Sequence, residues 1–253
     1  MPDFIPGLQL CEAYYEQAVR PILAARFPGL AYSAGLLGYG SDVLGLDTPV
    51  SRDHQWGPRL VLFLPPEDFA AGSSSAAATL DQALREDLPP IFMGYTTHFS
   101  APDPLDGGTR VAAAHTAGPV EHLINRVTVA GYWQSNLGAD PFREPAPVDW
   151  LTFSDQRLLA LTSGKVFHDD LGVEAARRRF AYYPREVWLY LLAAQWSLIS
   201  QEEAFVGRTA QAGDALGSRI VAARLVERFM RLCFLMEKRY APANAAGNPI
   251  LAR

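Results

Sequence analysis

Residues 40–59 read GSDVLGLDTPVSRDHQWGPR, and this stretch lies between two apolar runs at residues 30–37 and 59–64. Short apolar runs bounded by glycine and proline are typical of buried strands. Between them, Gly40-Ser41 comes directly after the first run and Asp53 comes shortly before the second. The sequence therefore predicts a strand, a glycine-rich acidic loop and a second strand.

The spacing in this loop resembles the general pattern of nucleotidyltransferases. Eleven residues separate Ser41 from Asp53. Glycine lets a phosphate approach the backbone, and serine adds a hydroxyl and an amide donor. In that pattern, carboxylates near the second strand hold Mg²⁺ against the phosphates while a hydroxyl displaces pyrophosphate. The resemblance implies Mg²⁺ as cofactor and a nucleoside triphosphate as substrate.

The chain also resembles one specific family, the uncharacterised bacterial domain of unknown function 4037, which is grouped with the nucleotidyltransferase-like folds. The loop quoted above carries the resemblance together with Gly94-Tyr95, Asp149 to Thr152, Phe167-His168-Asp169, Tyr183-Pro184-Arg185, Gln201 to Arg208 and Met236 to Pro242. It covers residues 1–242 and implies a chain truncated at its C-terminus. The family brings no activity of its own.

The resemblance implies a role for several residues of the loop. The expected catalytic residues are Asp53 and Asp47, the expected nucleotide-binding residues are Gly40, Ser41, Ser51, His54 and Arg59, and the expected metal ligands are Asp53, Asp47 and Asp42. Each also has a structural alternative. Loop carboxylates cap turns or pair with arginine, and a histidine beside tryptophan is often a hydrogen-bonded core residue.

Gln55 departs from the nucleotidyltransferase pattern, which has a second acid at this position. An amide oxygen is a weaker magnesium ligand than a carboxylate. Asp53 would therefore need Asp47 or Asp42 as its partner. Glu121, before a later strand, is a candidate third carboxylate, and a solvated loop residue is the alternative.

Outside the loop, periodicity predicts an α/β part with three or four strands, followed by a helical part. The resemblance implies an α+β fold with a small mixed sheet of the nucleotidyltransferase-like kind and flanking helices. The expected elements before the border at residue 147 are helices at 8–20 and 80–88 and strands at 91–99 and 123–132. Beyond it, we expect helices at 154–162, 172–180, 184–206 and 214–240 and a short strand at 165–167. This gives an α/β domain at 1–147 and a helical domain at 148–253.

The two long C-terminal helices carry many apolar residues. The first half of the helix at 184–206 is apolar nearly all round, which predicts that it is buried. The helix at 214–240 has apolar residues around much of its circumference. We expect either self-association through these helices or an exposed apolar patch.

Composition excludes several classes of protein. The 253 residues carry a net charge of −5, with 49% hydrophobic and 19% charged residues, so a general nucleic-acid binder is not expected. No apolar run reaches the roughly 20 residues of a membrane span, and no signal peptide is readable. The two cysteines lack metal-type spacing. These features predict a cytoplasmic protein.

Two functions follow from these patterns. The first is a Mg²⁺-dependent nucleotidyltransferase that moves a nucleoside monophosphate from a triphosphate to a hydroxyl of a small molecule or a protein. The second is a catalytically inactive nucleotide-binding or regulatory, antitoxin-like module, which Gln55 favours. The sequence does not identify the acceptor or the preferred nucleotide.

Overall fold

The structure is a computed structural model, and it describes residues 3–52, 55–70, 75–115 and 117–242. The strands in these ranges are β1 (Ser33–Leu36), β2 (Arg59–Phe63), β3 (Ile91–Phe92), β4 (Tyr95–Thr96), β5 (Leu123–Val127) and β6 (Lys165–Asp169). The α-helices are α1 (Gly7–Tyr14), α2 (Arg20–Arg26), α3 (Ala76–Asp87), α4 (Val129–Leu137), α5 (Pro147–Trp150), α6 (Asp155–Thr162), α7 (Val173–Arg179), α8 (Arg185–Gln211) and α9 (Ala215–Met236). In these ranges, no helix combines the length and the apolar character that a membrane crossing requires.

The first helical segment continues past Pro21 to Arg26, and its hydrogen bonding changes in the middle. A π-helical turn, Tyr15–Val19, joins α1 to α2. Pro21 lies in the first turn of α2, where its missing N–H and its ring interrupt the normal ladder of the preceding turn. Pro21 therefore changes the winding of this segment without ending it.

Four strands form a small mixed sheet in the order β5-β2-β1-β6. β1 pairs antiparallel with β2, with Ala34 opposite Leu62, and β2 pairs parallel with β5. On its other edge, β1 pairs antiparallel with β6. The prediction of an α+β chain with a small mixed sheet and a largely helical C-terminal part is confirmed at this level.

Two of the predicted strands were wrong in extent. The segment 91–99 is not one strand, because the chain reverses at Met93-Gly94 and β3 pairs with β4. The segment 123–132 forms a strand only to Val127. The side chain of Thr128 then accepts a hydrogen bond from the Gly131 N–H at 2.9 Å and starts α4. N-capping thus ends what reads as a continuous β-branched run.

The chain divides into two compact units. The first comprises Met1–Phe142 and Ala160–Arg178, and the second comprises Arg143–Leu159 and Arg179–Arg253. This division differs from a single border at residue 147, because β6 comes after that border and pairs with β1. In the first unit, apolar residues of α1, α3 and the sheet form one core, including Leu10, Tyr14, Leu62, Leu84 and Ile124.

The second unit is built around the antiparallel pair α8 and α9. Trp188 Nε1 donates to the Leu235 carbonyl, and Gln195 Nε2 donates to the Arg228 carbonyl, each at 2.8 Å. The prediction that the first half of α8 is buried was wrong, since Trp196 is 52% exposed. α8 also continues past its predicted end to Gln211. Large apolar side chains are exposed on both C-terminal helices, among them Trp196 of α8 and Phe229 of α9.

Candidate functional site

The loop of residues 38–42 follows β1 directly and is fixed by backbone hydrogen bonds. The Gly38 N–H donates to the Ala160 carbonyl at 3.1 Å, and the Leu46 N–H donates to the Ser41 carbonyl at 2.8 Å. A Cβ atom on Gly38 would lie 2.9 Å from the Tyr132 hydroxyl, and Gly40 has a φ of +132°. Glycine is therefore required at both positions for this tight turn.

Within this loop, Asp42 forms an ion pair with Arg59 of β2. The Asp42 carboxylate is 2% exposed and accepts from Arg59 Nε at 3.2 Å and from Arg59 Nη2 at 2.8 Å. It also accepts from the Val43 N–H at 3.0 Å. Asp42 was predicted to be a metal ligand, but here its oxygens bind the guanidinium and the backbone.

Asp47 was predicted to be a catalytic residue and a metal ligand, and the structure gives it two other partners. Its Oδ2 atom accepts from the Gly7 N–H at 2.7 Å and from Trp56 Nε1 at 2.9 Å. Gly7 is the first residue of α1, where the N–H groups are unpaired and a negative charge is favourable. Asp47 thus connects the segment between β1 and β2 to the start of α1.

One cavity of about 250 Å³ brings together most of the residues predicted to bind a nucleotide. The described residues that line it are Tyr39, Gly40, Ser41, Asp42, Ser51, Gln55, Trp56, Arg59 and Thr109. Ser51 also closes a turn, because its hydroxyl accepts from the Thr48 N–H at 3.0 Å. Asp47 is not among these lining residues. Asp53 and His54 lie outside the described residues.

A second, larger cavity of about 460 Å³ shares Tyr39, Gln55 and Arg59 with the first. The other described residues that line it are Leu37, Gly38, Leu60, Val61, Arg110, His122, Leu123, Ile124, Asn125, Val127, Tyr132, Ser135 and Asn136. Gln55 has a φ of +47°, a left-handed conformation that is uncommon outside glycine. Strained backbone of this kind is concentrated at functional sites.

Two titratable side chains in the larger cavity are held by the protein itself. Arg110 donates to the carbonyls of Ser100, at 2.7 Å, and His122, at 2.9 Å. Burial lowers the pKa of His122 to about 4, although nearby Asp81 opposes the shift. His122 is therefore neutral at pH 7, and its Nδ1 accepts from the Ile124 N–H at 3.2 Å.

The three described carboxylates that were predicted as metal ligands are each bonded to another group of the protein. Asp42 is paired with Arg59, and Asp47 is bonded to Gly7 and Trp56. The candidate third carboxylate, Glu121, accepts a hydrogen bond from Arg85. Within the described ranges, no group of three or more His, Cys, Asp or Glu side chains is arranged to hold a metal ion.

Sequence reasoning missed Tyr39, Arg110, Asn125 and Asn136 as lining residues. Tyr39 is adjacent to the Gly40-Ser41 motif, and this position could have singled it out. Arg110 follows the β-bridge residue Thr109, Asn125 lies in β5 and Asn136 lies in α4. These three elements carry no local motif, and only tertiary folding brings the residues to the cavity.

Comparison with known families gives one match. The sequence model of the family described as "domain of unknown function (DUF4037)" matches residues 150–245. This range covers less than half of the chain, and the loop of residues 40–59 lies outside it. No curated protein matches the chain, and no solved structure matches it either.

Proposed function

We propose that this protein binds a nucleotide, whose phosphates lie against the loop of residues 38–42 in the smaller cavity. One observation carries the proposal. Gly40, Ser41, Ser51 and Arg59 were selected from the sequence for nucleotide binding, and all four line that cavity. Gly40, Ser41 and Ser51 lie in the segment between β1 and β2, Arg59 is the first residue of β2, and the fold brings all four to one cavity.

The chemistry of these residues suits a phosphate group. Gly40 allows the positive φ of the turn, which places Ser41 and its hydroxyl group in the lining of the cavity. The guanidinium of Arg59 is oriented by its bonds to Asp42 and to the Tyr39 carbonyl at 3.0 Å. These bonds use Nε and Nη2, and a guanidinium carries further donors on Nη1 for a phosphate oxygen.

The pairing with Asp42 also limits the electrostatics of the site. An Asp–Arg pair has no net charge, so the attraction between the cavity and an anion is short-ranged. Binding then depends on directed hydrogen bonds more than on a basic surface. We expect only a modest loss of nucleotide affinity between low and physiological salt, in contrast to proteins that neutralise many phosphates.

Nucleotidyl transfer is the second candidate function. It is supported by Ser51 and Gln55, which flank Asp53 in sequence and both line the smaller cavity. In this reaction, an acceptor hydroxyl oxygen bonds to the α-phosphorus, its proton passes to solvent or a base, and pyrophosphate leaves. The acceptor is a hydroxyl of a small molecule or a protein.

Calorimetric titration of the purified protein with ATP, with and without Mg²⁺, tests the binding proposal. Loss of one hydrogen bond to a charged group in Ser41→Ala should weaken binding by roughly 10-fold or more. Ser200→Ala, an exposed serine of α8, is the matched control and should bind as the wild type does. Equal affinity in Ser41→Ala and the wild type, or no binding to the wild type, would refute the assignment.

Pyrophosphate release separates the two candidates. The assay uses ATP, Mg²⁺ and a cell extract as the source of acceptors. ATP binding without pyrophosphate release, in both the wild type and Gln55→Asp, supports the binding module. Release that the wild type produces and Gln55→Asp retains or raises supports the transferase.

A further inference from the structure

We propose that the larger cavity binds the nucleoside half of the ligand, with its aromatic base stacked on the ring of Tyr39. This inference rests on the proposed function, because it assumes that the phosphates occupy the smaller cavity. It adds that the protein recognises the base as well as the phosphate chain. It also assigns Tyr39 as a binding residue.

Tyr39 lies where the two cavities meet. It lines both of them, and it is 55% exposed although it follows a buried strand. Its backbone is held at the carbonyl by Arg59 Nη2 at 3.0 Å. A ligand whose phosphates contact Gly40 and Ser41 would therefore carry its next group past this ring.

An exposed aromatic ring in such a position is suited to a flat partner. Aromatic side chains bind the faces of nucleobases by stacking, and every base offers such a face. The ring of Tyr39 is attached to a backbone that is already fixed, so little conformational freedom is lost when a base packs on it. Stacking thus adds affinity without selecting a particular base.

The rest of the larger cavity supplies groups for the polar edges of a nucleoside. Gln55 and Asn125 are among the residues that line it, and an amide side chain is both a donor and an acceptor. The volume of the larger cavity also agrees with the size of a small-molecule site. A cavity of about 460 Å³ falls within the roughly 300–1,000 Å³ of small-molecule sites, whereas the smaller cavity, at about 250 Å³, does not.

Two ligands and three variants test this inference by isothermal titration. The ligands are ATP and inorganic tripolyphosphate, which share the phosphate chain and differ in the nucleoside. Tyr39→Ala should weaken ATP binding roughly 5- to 150-fold, the range expected for loss of one base–aromatic stack. It should leave tripolyphosphate binding within about 2-fold. Tyr39→Phe should keep the ATP affinity of the wild type, because it keeps the ring.

Tyr190→Ala is the matched control. Tyr190 is also an exposed tyrosine, but it lies on α8, and its loss should change neither affinity. A Tyr39→Trp variant adds a spectroscopic test, since stacking should give it a larger fluorescence change with ATP than the wild type shows, and no such difference with tripolyphosphate.

The outcomes separate this inference from the proposed function. If the wild type binds ATP and tripolyphosphate equally and Tyr39→Ala changes neither, the stacking inference is overturned and phosphate binding stands. If Tyr39→Ala weakens both ligands to the same extent, Tyr39 only positions the loop, and the stacking inference is again overturned. If the wild type binds neither ligand, the proposed function itself fails.

Discussion

Asp42 and Arg59 are 17 residues apart in sequence, and their side chains join the loop after β1 to the first residue of β2. Asp42 Oδ1 lies 2.8 Å from Arg59 Nη2, and the Arg59 side chain is only 15% exposed. When a carboxylate and a guanidinium are removed from water in this way, loss of either one leaves the charge of the other buried without a partner. The pair therefore sets the shape of the smaller cavity.

Asp42→Asn should lower the free energy of unfolding by about 3 kcal/mol, because it leaves the largely buried charge of Arg59 without its partner. Chemical denaturation measures this change. Glu203→Gln, an exposed acid on α8, is the control and should stay within about 0.5 kcal/mol of the wild type. The double variant Asp42→Asn/Arg59→Gln should lose less than the sum of the two single variants. Additive losses would contradict a direct coupling.

Gly40→Ala should destabilise the protein and weaken nucleotide binding together. The new Cβ would collide with Asp42 Oδ1 and lie 2.7 Å from Arg59 Nη2, so the ion pair must shift. Gly45→Ala is the matched control in the same loop, since Gly45 also has a positive φ but has nothing within 4 Å of an added Cβ. We expect Gly45→Ala to cost about 1 kcal/mol and Gly40→Ala clearly more. Equal melting temperatures for the two variants would contradict the predicted collision.

Asp47→Ala should destabilise the protein by about 2–3 kcal/mol, since two hydrogen bonds to a carboxylate are lost. Because Trp56 Nε1 is one of the donors, the tryptophan fluorescence of the native state should change as well. Asp47→Asn keeps an acceptor oxygen and should have a smaller effect, with ATP binding preserved. If Asp47→Asn instead abolishes Mg²⁺-dependent ATP turnover without changing stability, Asp47 acts as a metal ligand.

His122 should make stability depend on pH below neutrality. Burial lowers its pKa from 6.5 to about 4 in the folded protein. Between these two pH values, the histidine is protonated in the unfolded chain and neutral in the folded protein. Stability therefore falls as the pH drops through this window, by about 2 kcal/mol between pH 7 and pH 5 from this residue. His122→Gln should remove that part of the slope in denaturation experiments at the two pH values. The same slope in both proteins would show that burial does not shift this histidine.

Self-association through the C-terminal helices should be weakened by polar substitutions of their exposed apolar residues. Phe229 of α9 is 45% exposed, and it belongs to a row with Val226, Cys233 and Met236 at the spacing of an apolar helix seam. Trp196→Ser and Phe229→Ser should each shift sedimentation towards the monomer at high concentration. Leu105→Ser, in an exposed turn before β5, is the control. A wild type that stays monomeric at all concentrations would contradict the prediction.

The sequence was sufficient to predict the parts of the fold in which local pattern and tertiary packing agree. β1 and β2 were found because both are short apolar runs that the sheet buries. The row of apolar residues on α9 was found because it follows helical spacing. Where the two disagree, the prediction failed. Val127 and Val129 are β-branched, but the cap at Thr128 places them in different elements.

The sequence predicted which residues line the candidate site better than it predicted what those residues do. Gly40, Ser41, Ser51 and Arg59 do line one cavity, because the loop and β2 are neighbours in sequence. The bond from the Gly7 N–H to Asp47 spans 40 residues, and no local pattern reveals it. Asp42 poses the same problem, since an acid that binds a metal and an acid that binds an arginine look alike in sequence.

The place of β6 in the sheet bears on how the chain folds as it is synthesised. β1 lies between β2 and β6, and β6 begins at Lys165, long after β1 has left the ribosome. Until then, β1 has one unsatisfied edge, which is open to pairing with other chains. A fragment that stops at residue 147 would keep that edge permanently. We therefore expect such a fragment to aggregate, and any shortened version of the first unit needs the residues up to Asp169.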